Sequence, residues 1–265
     1  MKSLGLQQIK TLFTKHKNRT DTKYASISRA RTDIYVSTNG NDETGDGSIE
    51  KPFATIQKAI DSLGDLCVLS YIYIEEGTYE YEDTISIPSF KYIRLLKMSG
   101  KQSPLILVHG LPGLRIYASF LIIDGINLQY SNKTCKNTDW MHSLILGDTF
   151  SSVLLWNSTL CLASGGNLIS SCHDLASIGT QFIFKKDTDD TTPQVGVKVG
   201  QGGRVVVAST SSVMNPTSQN GARYPEYGYS FDGGTVSAPK NFWNASTSDK
   251  ILDVNGNITY VDPTA

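Results

Sequence analysis

The sequence has 265 residues, with 18% charged and 39% hydrophobic residues, 23 glycines and 13 tyrosines. A chain of this length can bury a sizeable core in one or two domains. Its low charge and high glycine content are typical of a β-rich, turn-rich protein, which excludes a helical bundle, a coiled coil and a disordered acidic chain.

The net charge of −1 is unevenly distributed, because residues 1–32 hold eight basic side chains and one acid. The pattern predicts an amphipathic helix followed by a polar linker, which together form an N-terminal docking arm. We expect the arm to dock onto a partner protein; packing on its own body and binding to an acidic or membrane surface are alternatives. The docking side chains would be Leu6, Ile9, Lys10, Phe13 and Lys17.

At Asp33 the pattern changes to a short strand and a glycine-rich loop, followed by a predicted helix at about 53–63 and a strand at Tyr71–Ile74. Short apolar runs separated by Gly, Asn, Ser or Asp then continue to about residue 231, which predicts an all-β chain. The predicted strands include Thr84–Ile87, Tyr92–Met98, Leu105–His109, Leu114–Ala118, Leu121–Ile123, Ile126–Tyr130, Leu144–Leu146, Val153–Trp156, Thr159–Leu162, Asn167–Ile169, Gln181–Phe184, Val195–Val199, Arg204–Ala208 and Tyr229–Phe231.

Comparable segments recur about every 20–25 residues, which is the period of a solenoid coil. The tight Asp124-Gly125 corner between two alternating strands fits this arrangement, and a β-sandwich is the alternative. We therefore predict a parallel β-helix over 33–240. Residues 241–265 follow as a tail, with a β-hairpin predicted at Asn255-Gly256.

The segment from Ile34 to Ile60 reads Ile-Tyr-Val-Ser-x-x-Gly-x-Asp-x-x-Gly-x-Gly, then Pro-Phe-x-Thr-Ile-x-x-Ala-Ile after four further residues. It resembles the entry segment of right-handed parallel β-helix proteins of the pectate-lyase-like superfamily. The resemblance covers about 30 residues and implies a capping helix across the first coil, since an uncapped coil stack exposes backbone groups.

Such segments occur in pectinolytic enzymes and in tail spikes and other virion proteins of tailed bacteriophages. The basic arm, and a chain start without a secretory signal, favour a virion structural protein assembled in a host cytoplasm. The resemblance implies contacts with other virion proteins through 1–32, a homo-oligomer with a trimer favoured, and contact with host surface polysaccharide. We expect no nucleic acid partner and no cofactor.

Carbohydrate-cleaving enzymes require converging carboxylates, and no such pair stands out in the sequence. The weak candidates for a cation site are Asp187, Asp189 and Asp190. Their polar surroundings are more typical of a solvated turn, so we predict no bound metal. The three strand arginines, Arg94, Arg115 and Arg204, and the separated histidines, His109, His142 and His173, read as structural. We expect no enzyme activity; a polysaccharide depolymerase or lyase on the same fold is the alternative.

Aromatic side chains are the more suggestive recognition residues, because they can stack on sugars or anchor an interface. The candidates are Trp140, Tyr224, Tyr227 and Tyr229, with burial in a cap or a subunit contact as the alternative. The four cysteines lack metal-site spacing and read as structural thiols, with Cys67 and Cys161 in apolar runs.

Overall fold

The computed structural model describes residues 32–64, 69–131, 138–148, 150–171, 173–185, 190–200, 202–208, 210–213, 222–239, 242–243 and the backbone of 251–261. The predicted docking residues of the arm lie outside the described residues, as do Asp187 and Asp189. Three of the cysteines, Cys67, Cys135 and Cys172, also lie outside them.

The strands repeat in a cycle of three, because each strand from β2 to β15 pairs in parallel with the strand three places further along the chain. Sheet 1 contains β1 (Thr32–Val36), β2 (Leu69–Ile74), β5 (Tyr92–Lys97), β8 (Phe120–Asp124), β11 (Ser152–Trp156), β14 (Asp174–Ile178) and β17 (Arg204–Val207). Sheet 2 contains β3 (Thr78–Tyr81), β6 (Leu105–Val108), β9 (Asn127–Tyr130), β12 (Thr159–Leu162), β15 (Gln181–Lys185) and β18 (Ser212–Val213). Sheet 3 contains β4 (Ile85–Ile87), β7 (Leu114–Ile116), β10 (Ser143–Gly147), β13 (Gly166–Ser171) and β16 (Gln194–Val199).

The core lies between the three sheets and is built from stacked side chains of the same register position. In sheet 1, for example, Ile72, Leu95, Ile123 and Leu155 are register partners and all are buried. The ladders confirm the predicted all-β class with parallel strands and are consistent with a parallel β-helix. They are inconsistent with a β-sandwich, since the one antiparallel ladder among the described residues joins β15 to the two-residue strand β19 (Ala222–Arg223).

Strand β20 (Tyr227–Pro239) joins two sheets, because its first part pairs with β16 and its second part pairs with β17. The strand bends at Gly233 and Gly234, whose φ angles are 85° and 94°. Strand β21 (Ile251–Val261) then runs parallel to β20 as one strand, where the sequence predicts a hairpin. An Asn-Gly pair is typical of a turn between two strands. Here Asn255-Gly256 lies beside the bend of β20, and β21 continues along β20 without turning back.

The helix α1 (Ile56–Asp61) is shorter than the predicted 53–63, because Phe53 forms a parallel bridge with Val36 and is therefore extended. Thr55 caps the helix and accepts from the Lys58 N–H at 3.1 Å. The buried side chains of α1 are Ile56, Ala59 and Ile60, and the helix contacts β1, β2 and β4.

The residues of the entry segment hold its loop against the helix start. The Asp42 carboxylate accepts from the backbone N–H groups of Ala54 (2.8 Å) and Thr55 (3.1 Å) and from the Thr55 hydroxyl (2.6 Å). Gly40 lies so close to the Phe53 carbonyl that a Cβ would be 2.2 Å from its oxygen. The quoted pattern therefore serves the fold at this end of the molecule.

Corners between the sheets differ in length. The corner from sheet 1 to sheet 2 has two residues in three successive coils, as at Gly125-Ile126. In the same coils, the strand of sheet 2 and the following strand of sheet 3 are separated in sequence by residues 131–142, 163–165 and 186–193. Coil length varies accordingly: from Phe120 the register partners Ser152, Asp174 and Arg204 follow after 32, 22 and 30 residues.

Candidate functional site

The outer face of sheet 2 presents alternate residues of each strand, since successive side chains of a strand point to opposite faces. Leu128 and Tyr130 of β9 belong to the buried core, so Asn127 and Gln129 lie on the outer face. Two register rows run along this face. One contains Thr78, Leu105, Asn127, Thr159, Gln181 and Ser212, and the other contains Glu80, Leu107, Gln129, Cys161 and Ile183.

The middle of this face forms an open groove of about 310 Å³, which we call the amide groove. Half-buried polar side chains alternate there with apolar ones. Its lining includes Leu105, Asn127, Gln129, Thr159, Cys161, Gln181, Ile183 and Lys185.

The polar side chains of the groove are available to a ligand. Within the described residues, the side chains of Asn127, Gln129, Thr159 and Gln181 form no hydrogen bond with the protein, although their backbones are paired in the sheet. A side-chain amide offers both donors and an acceptor, and a hydroxyl offers one of each kind. Strand spacing places successive members of a row about 4.8 Å apart. The groove is therefore a regular array of uncharged hydrogen-bonding groups.

The cysteine beneath the groove is a buried thiol. Cys161 is 6% exposed, and its burial raises the pKa of the thiol to about 11. The thiol is therefore protonated at neutral pH, and only the thiolate is reactive. Its burial agrees with the structural role predicted from the sequence, although it lies under the groove and outside the main core cluster.

A cluster of two carboxylates and one imidazole lies at the N-terminal end of the same face. The register of β3 and β6 continues beyond the strands, where the His109 N–H donates to the Tyr81 carbonyl, so His109 lies beside Glu82. His109 Nε2 is 3.1 Å from a Glu80 carboxylate oxygen, and Nδ1 is 2.5 Å from the Ser131 carbonyl. The Ser131 carbonyl, and after it the two glutamates, raise the pKa of His109.

A second, apolar surface lies at the corner between sheets 3 and 1. Phe90 and Phe150 are 71% and 72% exposed and have φ angles of 63° and 66°, in the left-handed region. They flank a shallow groove of about 350 Å³ that also contains Tyr92 and Phe120. The Ser119 hydroxyl there is already bonded to the Lys91 N–H and the Pro88 carbonyl. This corner offers aromatic surface with few polar groups for sugar hydroxyls, so the amide groove is the better candidate for glycan recognition.

The predicted aromatic residues do not form one site. Tyr229 is fully buried among Phe231 and Trp243 and cannot contact a glycan, so that prediction is wrong. The alternation of β20 explains its position, since Tyr229 is the register partner of the buried Val197. Tyr224 and Tyr227 are half-buried near the start of β20.

Trp140 is half-buried on the loop ahead of β10, and Lys198 covers its ring. The Lys198 ammonium lies 5.3 Å from the ring centroid and donates to the Thr138 carbonyl at 3.1 Å. The buried Asn167 amide donates to the Thr138 and Asp139 carbonyls and holds the loop on sheet 3.

Of the three acidic residues in the predicted turn, Asp190 is the one that the structure describes, and its carboxylate bonds to the backbone. Asp190 accepts from the backbone N–H groups of Gly165 (2.7 Å) and Thr192 (2.9 Å). The three strand arginines each pair with one aspartate: Arg94 with Asp124, Arg115 with Asp148 and Arg204 with Asp174. These contacts match the structural role expected of the arginines.

No helix in the described part of the chain has the length and apolar character needed to cross a membrane.

No protein-family model matches the chain, and no curated protein matches it. The chain is similar to a solved structure of a rhamnogalacturonan lyase, with 14% identical residues and a TM-score of 0.44 over 86% of this chain. It spans 62% of that chain's length. Nothing in this comparison concerns bacteriophage proteins, whereas the parallel sheets fit the β-helix that the entry segment predicts.

Proposed function

We propose that this protein is a parallel β-helix that binds polysaccharide along the amide groove. The observation that carries the proposal is the set of side-chain amides and hydroxyls on the outer face of sheet 2 that form no hydrogen bond within the described residues. Polysaccharides present hydroxyl groups at regular intervals, and each hydroxyl both donates and accepts hydrogen bonds. The row of Asn127, Thr159 and Gln181 presents matching groups at regular intervals.

The apolar side chains between the amides support the same ligand. Leu105 and Ile183 provide apolar surface beside the polar rows, and the C–H faces of sugar rings can pack on it. Lys185 at one end of the groove adds a cation. The groove is open, so a chain could lie along it without threading through a closed tunnel.

Changing both Asn127 and Gln129 to alanine should weaken polysaccharide binding about tenfold, because two hydrogen bonds of about 0.5–1.5 kcal/mol each are lost. Affinity electrophoresis against neutral glucans, rhamnogalacturonan and bacterial capsular polysaccharide measures this. Asn39→Ala is the matched control, since Asn39 is an exposed amide in the entry loop. Binding of the double variant equal to that of the unmodified protein, or no retardation by any of these polymers, would contradict the proposal.

We propose binding without cleavage, since the described lining of the amide groove contains no carboxylate. The alternative is a carbohydrate-active enzyme. One observation favours it: the ligand atoms of Glu80, Glu82 and His109 all lie within 4.8 Å of one another, and paired carboxylates are what glycoside hydrolysis uses. Assays for reducing ends and for unsaturated products, run on the same polymers, separate the two. Cleavage that is lost in Glu80→Gln, or on changing Asp187, Asp189 or Asp190 to alanine, would establish the enzyme.

We also infer that the three sheets close into a right-handed solenoid with α1 across its first coil. Contacts of α1 with β1, β2 and β4 support this. So does Gln57, whose side chain accepts from the Ser86 N–H at 2.8 Å and donates to the Ser86 carbonyl at 3.2 Å. These two bonds occupy backbone groups of β4, the first strand of sheet 3.

A role as a virion structural protein that attaches through 1–32, and forms a homotrimer, stays a proposal. It rests on the charge of that segment, which differs from the rest of the chain. Deleting 1–31 should leave a soluble, folded protein, because β1 begins at Thr32, and should abolish incorporation into particles. Circular dichroism checks the fold, and mass spectrometry of purified particles checks incorporation. Normal incorporation of the truncated chain would contradict this role.

A further inference from the structure

We propose that Glu80, Glu82 and His109 bind one divalent transition-metal ion of the zinc class. The site goes beyond the proposed polysaccharide binding and does not depend on it. Glu80 ends the exposed face of β3, Glu82 follows that strand, and His109 follows β6. Their ligand atoms lie within 4.8 Å of one another. Neighbouring ligands of one tetrahedral zinc ion are about 3.3 Å apart. His109 Nε2 and Glu80 already approach to 3.1 Å, and Glu82 is exposed and can close the remaining gap.

A contact outside the cluster orients the imidazole for a metal. His109 Nδ1 lies 2.5 Å from the Ser131 carbonyl, which can only accept, so Nδ1 carries a proton. Nε2 lies 3.1 Å from the Glu80 carboxylate, on the side of the ring that faces both glutamates. A metal ion held there would take the place of a proton on Nε2. Metal-binding histidines almost always donate their other N–H to a carbonyl or carboxylate in this way.

The ligand types select the class of ion. Calcium takes six to eight oxygen ligands, and magnesium keeps several of its waters. An imidazole with two carboxylates suits zinc, which binds nitrogen and oxygen in four-coordinate sites, with water completing the coordination.

A nearby acidic pair provides an internal contrast. Glu75 and Glu76 lie 3.6 and 3.3 Å from the Lys101 ammonium, which forms an ion pair with both. The cluster at His109 has an imidazole in place of that ammonium. Variants of the two clusters therefore distinguish two causes of metal binding. Non-specific attraction of cations would depend on either pair of glutamates, whereas coordination would depend on the cluster at His109 alone.

Titration calorimetry of the full chain, without a histidine tag, with zinc chloride tests the site. We expect one ion bound per chain, with affinity lowered at least tenfold by Glu82→Gln and by His109→Gln and unchanged by Glu76→Gln. Excess calcium should not compete. Circular dichroism confirms folding, and Glu82→Gln keeps the test valid if His109→Gln unfolds, because Glu82 is an exposed side chain. Absence of binding, equal binding by Glu82→Gln, or equal weakening by Glu76→Gln overturns the proposal.

Discussion

Replacing Trp243 with alanine should lower the free energy of unfolding by about 3–5 kcal/mol. The indole is fully buried, and its centroid lies 5.3 Å from that of Phe182 and 6.1 Å from that of Tyr229. Gly196 and Gly228 leave space for the ring, since a Cβ at either position would lie 2.7 Å from an indole atom. Alanine would therefore leave a large cavity that the surrounding strands fill only in part.

Trp156→Ala is the matched control, because Trp156 is 41% exposed on the outer face of sheet 1. Urea unfolding curves of the two variants give the comparison. We expect the Trp156 variant to remain close to the unmodified protein. Similar destabilisation by both variants would show that the packing of Trp243 is not what stabilises this end of the molecule.

Replacing Gln194 with methionine should cost about 2–3 kcal/mol of stability. The side chain is fully buried, and its amide nitrogen lies 2.7 Å from the Lys185 carbonyl, 2.8 Å from the Ser164 carbonyl and 3.2 Å from the Leu162 carbonyl. Methionine has a similar length but no donor, and each buried acceptor left unsatisfied costs about 1–3 kcal/mol.

Gln129→Met provides the comparison for this substitution, because Gln129 is half-buried and its side chain forms no hydrogen bond within the described residues. Thermal unfolding followed by circular dichroism gives the two melting temperatures. If both variants melt at the same temperature, the buried amide does not stabilise the corner between sheets 2 and 3.

Most strands could be predicted from the sequence because apolar residues alternate within short runs and glycines mark the corners, whereas β3 and β14 are missing from the predicted strands. The Asp124-Gly125 corner is an example: Gly125 has a φ of 68°, and the next strand begins at Asn127. The entry segment could be predicted because Gly40 and Asp42 are tied to backbone positions that few other residues fit.

The candidate site could not be predicted from the sequence, because it depends on which strands are neighbours. Glu80 and His109 lie 29 positions apart in the chain, and no local pattern connects them. The amide groove likewise draws Asn127, Thr159 and Gln181 from three coils. Once the strand register is known, the groove can be recognised from the sequence, because polar residues occupy the same register position in successive strands.

Alternation alone also leaves open which face of a strand is buried, so the sequence does not distinguish a recognition role for Tyr229 from burial in the core. The same limit applies to Asn255-Gly256. A residue pair that permits a turn does not specify where the following strand goes, and here it continues parallel to β20.

The unequal corners have a consequence for how such a protein can diversify. In the three coils that begin at β8, β11 and β14, the corner between sheets 1 and 2 keeps two residues, whereas most of the variation in length falls between sheets 2 and 3. That segment borders the outer face of sheet 2, where the amide groove lies. Insertions and deletions can therefore accumulate beside the groove while the ladders keep their register. Under the proposed function, a change in the length of that segment would alter the surroundings of the amide groove without rebuilding the interior of the fold.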